Sequence, residues 1–133
     1  MKIFVDTNIF LDLILKRENF DKSLLLFNAV EKKLFDAVIS DITILNIDYV
    51  AKKQVKNIRD FLILVNKNFK VAGSSNEQMA KALMLQNDDL EDNLQYTLAK
   101  ENYCEVIVTN DKSFYAKSIQ KLSSKEFVEK YIE

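Results

Sequence analysis

Apolar residues recur along this chain in two rhythms. Short unbroken runs mark strands buried on both faces, and longer stretches with apolar positions three and four apart mark amphipathic helices. Lys2-Ile3-Phe4-Val5 is a predicted strand running into Asp6, and the apolar residues from Ile9 to about Leu15 form a short predicted helix that Asn8 is placed to cap. Phe20, Leu24 and Phe27 mark a helix to about Lys33, after which Ala37-Val38-Ile39 reads as a strand ending at Ser40-Asp41. A helix from Ile42 to about Lys53 carries Ile44, Ile47, Ala51 and Val55 on one side, and the next carries Ile58, Phe61, Leu62 and Val65. Phe69-Lys70-Val71 is a weaker strand before the only glycine, Gly73. Ser75-x-x-Gln78 has the spacing of a capping box opening a helix through Leu85. Asp89 to about Glu101 forms a helix with Leu90, Leu94 and Leu98 on one face, followed by the strand Glu105 to Val108. A Lys/Ser-rich connection then leads to a final box, Ser123-x-x-Glu126, backed by Phe127, Val128 and Tyr131.

Strands alternating with helices of this length predict an α/β fold, a parallel sheet with helices on both faces. Right-handed crossovers bring the strand C-termini to one edge, the edge where open α/β sheets bind ligands. Asp6 and Asp111 each follow a strand on that edge, and Asp92 lies in the first turn of a helix entering from it. Three acids distant in sequence are therefore predicted neighbours. Clustered carboxylates cannot all stay charged without a cation between them, which points to a divalent metal.

The length of 133 residues fits one domain over 1–133, with a core large enough to need no staples. No apolar run approaches the ~20 residues of a membrane span, and no signal-peptide pattern opens the chain. A lone Cys104 forms neither an intrachain disulfide nor a cysteine zinc cluster, so the expected compartment is cytoplasmic. The absence of histidine excludes Ser-His-Asp and Cys-His mechanisms together with His-ligated zinc and iron, leaving carboxylate, Lys and Tyr chemistry. A net charge of -1 gives no global basic footprint, so a nucleic-acid partner has to be held by a local patch.

Three blocks carry a resemblance: Val5-Asp6-Thr7-Asn8-Ile9 with Leu11, Asp89-Leu90-Glu91-Asp92-Asn93-Leu94, and Val108-Thr109-Asn110-Asp111-x-x-Phe114. In order and spacing they resemble the PIN domain family. The resemblance implies a three-layer α/β/α fold with a central, mostly parallel sheet of four to five strands. It also implies a nuclease, in many small members the VapC-type ribonuclease toxin of a toxin-antitoxin pair. On these positions Asp6, Asp92 and Asp111 become catalytic metal-binding carboxylates for Mg²⁺ or Mn²⁺, with Thr7, Asn8 and Thr109 in support. Cytoplasmic RNA as substrate, a cognate antitoxin and pairing of two copies follow as expected partners, with no membrane involved.

One position departs from the family. A Thr-x-x-Glu setting is usual in the helix after the second strand, and Thr43-Ile44-Leu45-Asn46 places an asparagine there. Asn46 can offer a carbonyl oxygen or hold a water, but it lacks the charge and cannot act as a base. Asp48 points to the far side of its helix, whereas Asp89, one turn before Asp92, is a further candidate metal ligand, and Asp41 a weaker one. The chemistry implied is metal-assisted phosphodiester hydrolysis leaving a 3'-hydroxyl and a 5'-phosphate, with RNA steered by Lys16, Arg17, Lys52, Lys53, Lys56, Arg59 and Lys112. Asn46 keeps a second reading open: a PIN-like domain with weakened or lost catalysis that binds RNA or protein. An aspartate-based phosphotransfer domain also places Asp after its first strand, but the rest of its motif is absent here.

Overall fold

The computed structural model describes residues 1–133. Five strands, β1 (Lys2–Val5), β2 (Asp36–Ser40), β3 (Lys70–Ala72), β4 (Val106–Val108) and β5 (Gln120–Leu122), form one sheet in the order β3-β2-β1-β4-β5. Every neighbouring pair is parallel. Seven helices connect them: α1 (Thr7–Ile14), α2 (Phe20–Glu31), α3 (Asp41–Ala51), α4 (Ile58–Asn68), α5 (Asn76–Met84), α6 (Leu90–Glu101) and α7 (Ser124–Tyr131).

Successive strand side chains point to opposite faces, and the three central strands use both. Ile3, Val5, Ala37, Ile39, Val106 and Val108 face a core shared with α1, α2, α3, α4 and α7. Phe4, Val38 and Ile107 face a smaller core completed by Ala82 of α5, Leu94 and Leu98 of α6, and Phe114. This double burial explains why the strands read as unbroken apolar runs, and it establishes the three-layer α/β/α architecture. Cys104 is buried beside the second core, where desolvation pushes its thiol up to about 11, so it stays protonated and packs as a small apolar group.

Both capping boxes form: Ser75 and Gln78 open α5, and Ser123 and Glu126 open α7. Three local expectations are corrected. β5 lies within the segment read as a connection. The cap of α1 is Asp6, because the helix starts at Thr7 and leaves Asn8 exposed in its first turn. Leu90 is 40% exposed, so the buried stripe of α6 starts at Asp92 and includes Leu94 and Leu98.

Candidate active site

Four chain segments meet at the C-terminal edge of the central strands. β1 and β4 pair in register through Val5 and Val108, and Asp6 continues that ladder by donating its N–H to the Val108 carbonyl at 3.0 Å. Asp6 is the backbone cap of α1, its carbonyl accepting from Ile9 N–H, but its carboxylate makes no capping bond. The side chain instead turns into the protein. Thr109 Oγ1 donates to Asp6 Oδ2 at 2.8 Å, and Gln95 Nε2 donates to Oδ1 at 3.2 Å. Burial nevertheless dominates and raises the Asp6 carboxyl to about 6, the two donors offsetting part of the shift.

Asp92 enters from α6. Its backbone N–H is fixed by Asp89 Oδ1 at 3.0 Å, so Asp89 is the N-cap of that helix. The Asp92 carboxyl is raised to about 7, first by desolvation and then by the negative charges of Asp89, Asp6, Asp111 and Glu91. Gln95 of the same helix reaches Asp6, and Thr109 bonds both Asp6 and the Asp111 N–H, so hydrogen bonds tie the three segments together at this edge. None of these five acids forms an ion pair, since the salt bridges of the chain lie elsewhere, at Lys22–Glu133 and around Lys81.

Asp111 follows Thr109, whose Oγ1 also accepts the Asp111 N–H. Its own Oδ1 accepts from Ser113 N at 2.9 Å and Ser113 Oγ at 2.7 Å, which holds the carboxyl below its ordinary range. Asn110 ties this loop to two helices, donating to Asp12 Oδ2 of α1 and accepting from the Ser124 N–H of α7.

On the β2 side, Thr7 Oγ1 and Thr43 Oγ1 share a buried hydrogen bond of 2.9 Å between α1 and α3. One turn beyond Thr43, the Asn46 amide donates to a carboxylate oxygen of Glu91 at the start of α6. Asn8 stays at the surface without a side-chain hydrogen bond, and the Asp41 carboxylate accepts from its neighbour Ser40 at 3.3 Å.

The oxygens form no finished ion cage: no three acidic side chains converge on one point. Asp6 spends its oxygens on Thr109 and Gln95, and Asp111 folds back onto Ser113. The donor chemistry still suits a hard divalent cation, because every donor is an oxygen. Within this all-oxygen set the Gln95 Oε1 atom is fully buried without a hydrogen-bond partner, an orphaned acceptor on the side chain that binds Asp6. Gln95 and Glu91 were not singled out from the sequence. Their one signal was spacing, four residues apart on a helix with Asp92 between them.

Such a parallel sheet with carboxylates gathered outside its strand ends defines an α/β domain with its working edge at the strand C-termini. A family profile for the PIN domain matches residues 2–113. The curated Ribonuclease VapC1 of Aquifex aeolicus (strain VF5) is 33% identical over 138 aligned positions, covering 98% of this chain and 95% of the relative. Among solved structures, a toxin-antitoxin complex from Klebsiella pneumoniae superposes with a TM-score of 0.70 at 22% identity, over 92% of this chain and 97% of that one. VapBC2 from Rickettsia felis, bound to a DNA fragment from its promoter, gives 0.66 at 18% identity over 92% and 98%. The chain belongs to the PIN domain family, and its curated relative is of the VapC type.

Proposed function

We propose that this protein is a metal-dependent endoribonuclease, the toxin of a toxin-antitoxin pair, with Asp6, Asp92 and Asp111 as its catalytic carboxylates. The observation that carries the reading is the state of Asp6 and Asp92: both are buried and raised, and no Lys or Arg neutralises either one. The name of the Aquifex relative and the titles of the two structural neighbours favour the same activity and the same kind of partner.

When bound, Mg²⁺ or Mn²⁺ supplies positive charge at the scissile phosphate and acidifies the attacking water. The chain's residues do the positioning. Thr109 and Gln95 fix the Asp6 carboxylate, the Asp89 cap sets where Asp92 projects, and Thr7 with Thr43 braces α1 against α3. Lys16, Arg17, Lys52, Lys53, Lys56, Arg59 and Lys112 are exposed and free of ion pairs, available to RNA phosphates. A groove between α3 and α4, lined by Ile44, Leu45, Leu62 and Ile63 and edged by Asp48, Arg59 and Asn66, offers a protein partner a surface. Pairing of two copies and a single domain over 1–133 belong to the same proposal.

The test is cleavage of a fluorescent single-stranded RNA in Mn²⁺ by the purified protein and its Asp6→Asn, Asp92→Asn and Asp111→Asn variants. Cleavage by the wild type and its loss in all three variants is expected; an intact RNA with wild-type protein ends the nuclease reading. The second reading, a binding module without catalysis, rests on the uncharged Asn46. It predicts that the wild type is inert and that Asn46→Glu gains cleavage.

A further inference from the structure

The chain is short of one carboxylate on α3, and the structure shows what stands against that position. Asn46 occupies the inner end of a hydrogen bond whose acceptor is the Glu91 carboxylate, across 45 residues of sequence. Glu91 is exposed, forms no ion pair, and has its second oxygen free of hydrogen bonds. Asn46 lies one turn along α3 from Thr43, which is bonded to Thr7 next to Asp6, so the Glu91 carboxylate is held at the α3 side of the acidic edge. The amide of Asn46 supplies what a glutamate there could not: a donor that holds another carboxylate in place. A second, independent feature lies one turn further along α6, where Gln95, whose amide donates to Asp6, keeps a buried and unpartnered Oε1.

We propose that Glu91 is the fourth acidic group of the cation site, a carboxylate supplied from α6 instead of α3, with Asn46 as the positioning residue that orients it. The inference rests on the metal-site reading above and deepens it. It assigns Asn46 a role beyond the carbonyl oxygen or held water that the sequence suggested, as the donor that orients a carboxylate from another helix. It also gives the acids at the start of α6 separate tasks: Asp89 caps the helix, Asp92 is the buried carboxylate, and Glu91 reaches across to α3.

The experiment measures Mn²⁺ affinity by calorimetry on the full chain, beside RNA cleavage by the same preparations. Glu91→Gln should weaken Mn²⁺ by about ten- to a hundredfold, the range expected when a group orienting or completing a metal shell is lost. Glu129→Gln, which removes an exposed acid from α7, should change nothing. Asn46→Ala should weaken Mn²⁺ less than Glu91→Gln, and the double variant Asn46→Glu with Glu91→Gln, which returns the charge to α3, should recover most of the lost affinity. Glu91 is exposed, so its variants should melt with the wild type in the absence of metal. A Glu91→Gln affinity equal to that of Glu129→Gln overturns the assignment even if the wild type cleaves RNA. Wild-type protein that binds Mn²⁺ in a Glu91-dependent way but leaves RNA intact supports the assignment and removes the nuclease reading. Wild-type protein that binds no Mn²⁺ overturns both.

Discussion

Asp6 is held by two donors that are unequal in kind. Thr109 directly follows β4, the strand paired with β1, and was recognisable as part of a motif, whereas Gln95 is a buried amide reaching from α6. Replacing Gln95 with Leu removes a hydrogen bond that favours the ionised carboxylate, so the Asp6 carboxyl should titrate above its present value of about 6, as followed by carboxyl-carbon NMR. An unchanged titration would mean that Thr109 alone sets the ionisation. The three aspartates were legible in the sequence because each sits at a boundary where an apolar run stops or a helix starts. Gln95 and Glu91 were not, because a polar residue on a helix looks the same whether it faces water or a carboxylate brought in from far along the chain.

At the level of elements, the start of α6 joins stability to site geometry. Asp89 accepts the Asp92 N–H, so Asp89→Ala should cost about 1 kcal/mol in urea unfolding, the usual worth of an N-cap, while Asp89→Ser keeps the cap and most of the stability. If Asp89→Ser nevertheless weakens Mn²⁺ binding, the charge of Asp89 serves the site as well as the helix. The central strands were readable because burial on both faces leaves continuous apolar runs. β5 was not: Gln120-Lys121-Leu122 is an edge strand of three residues, only partly buried, and pairing with β4 rather than its own pattern makes it a strand. The missed start of α1 has a similar cause, since Asp6 and Asn8 are equally good caps by composition and only the end of β1 decides between them.

For the whole molecule, the raised carboxyls set a pH dependence with a definite sign. Asp6 and Asp92 rise from 3.8 to about 6 and about 7, so between those values the folded chain holds protons that the unfolded chain has released. Their contribution to stability is therefore greatest at low pH and declines as pH rises through the window from about 4 to about 7. Without divalent ions, the urea midpoint of Asp92→Asn should fall less than that of the wild type across this range. Millimolar Mn²⁺ should then raise the wild-type melting midpoint at neutral pH by linkage and leave Asp92→Asn unmoved; equal shifts in both proteins would count against Asp92 as a ligand. The sheet order has one more consequence, for how this molecule comes into being. β1 is made first yet lies in the middle: Ile3 pairs with Ala37 on one side and with Val106 on the other, so Asp6 waits for 103 further residues before Thr109 reaches its carboxylate. A growing polypeptide on the ribosome therefore cannot carry an assembled acidic edge before β4 and the loop after it have emerged.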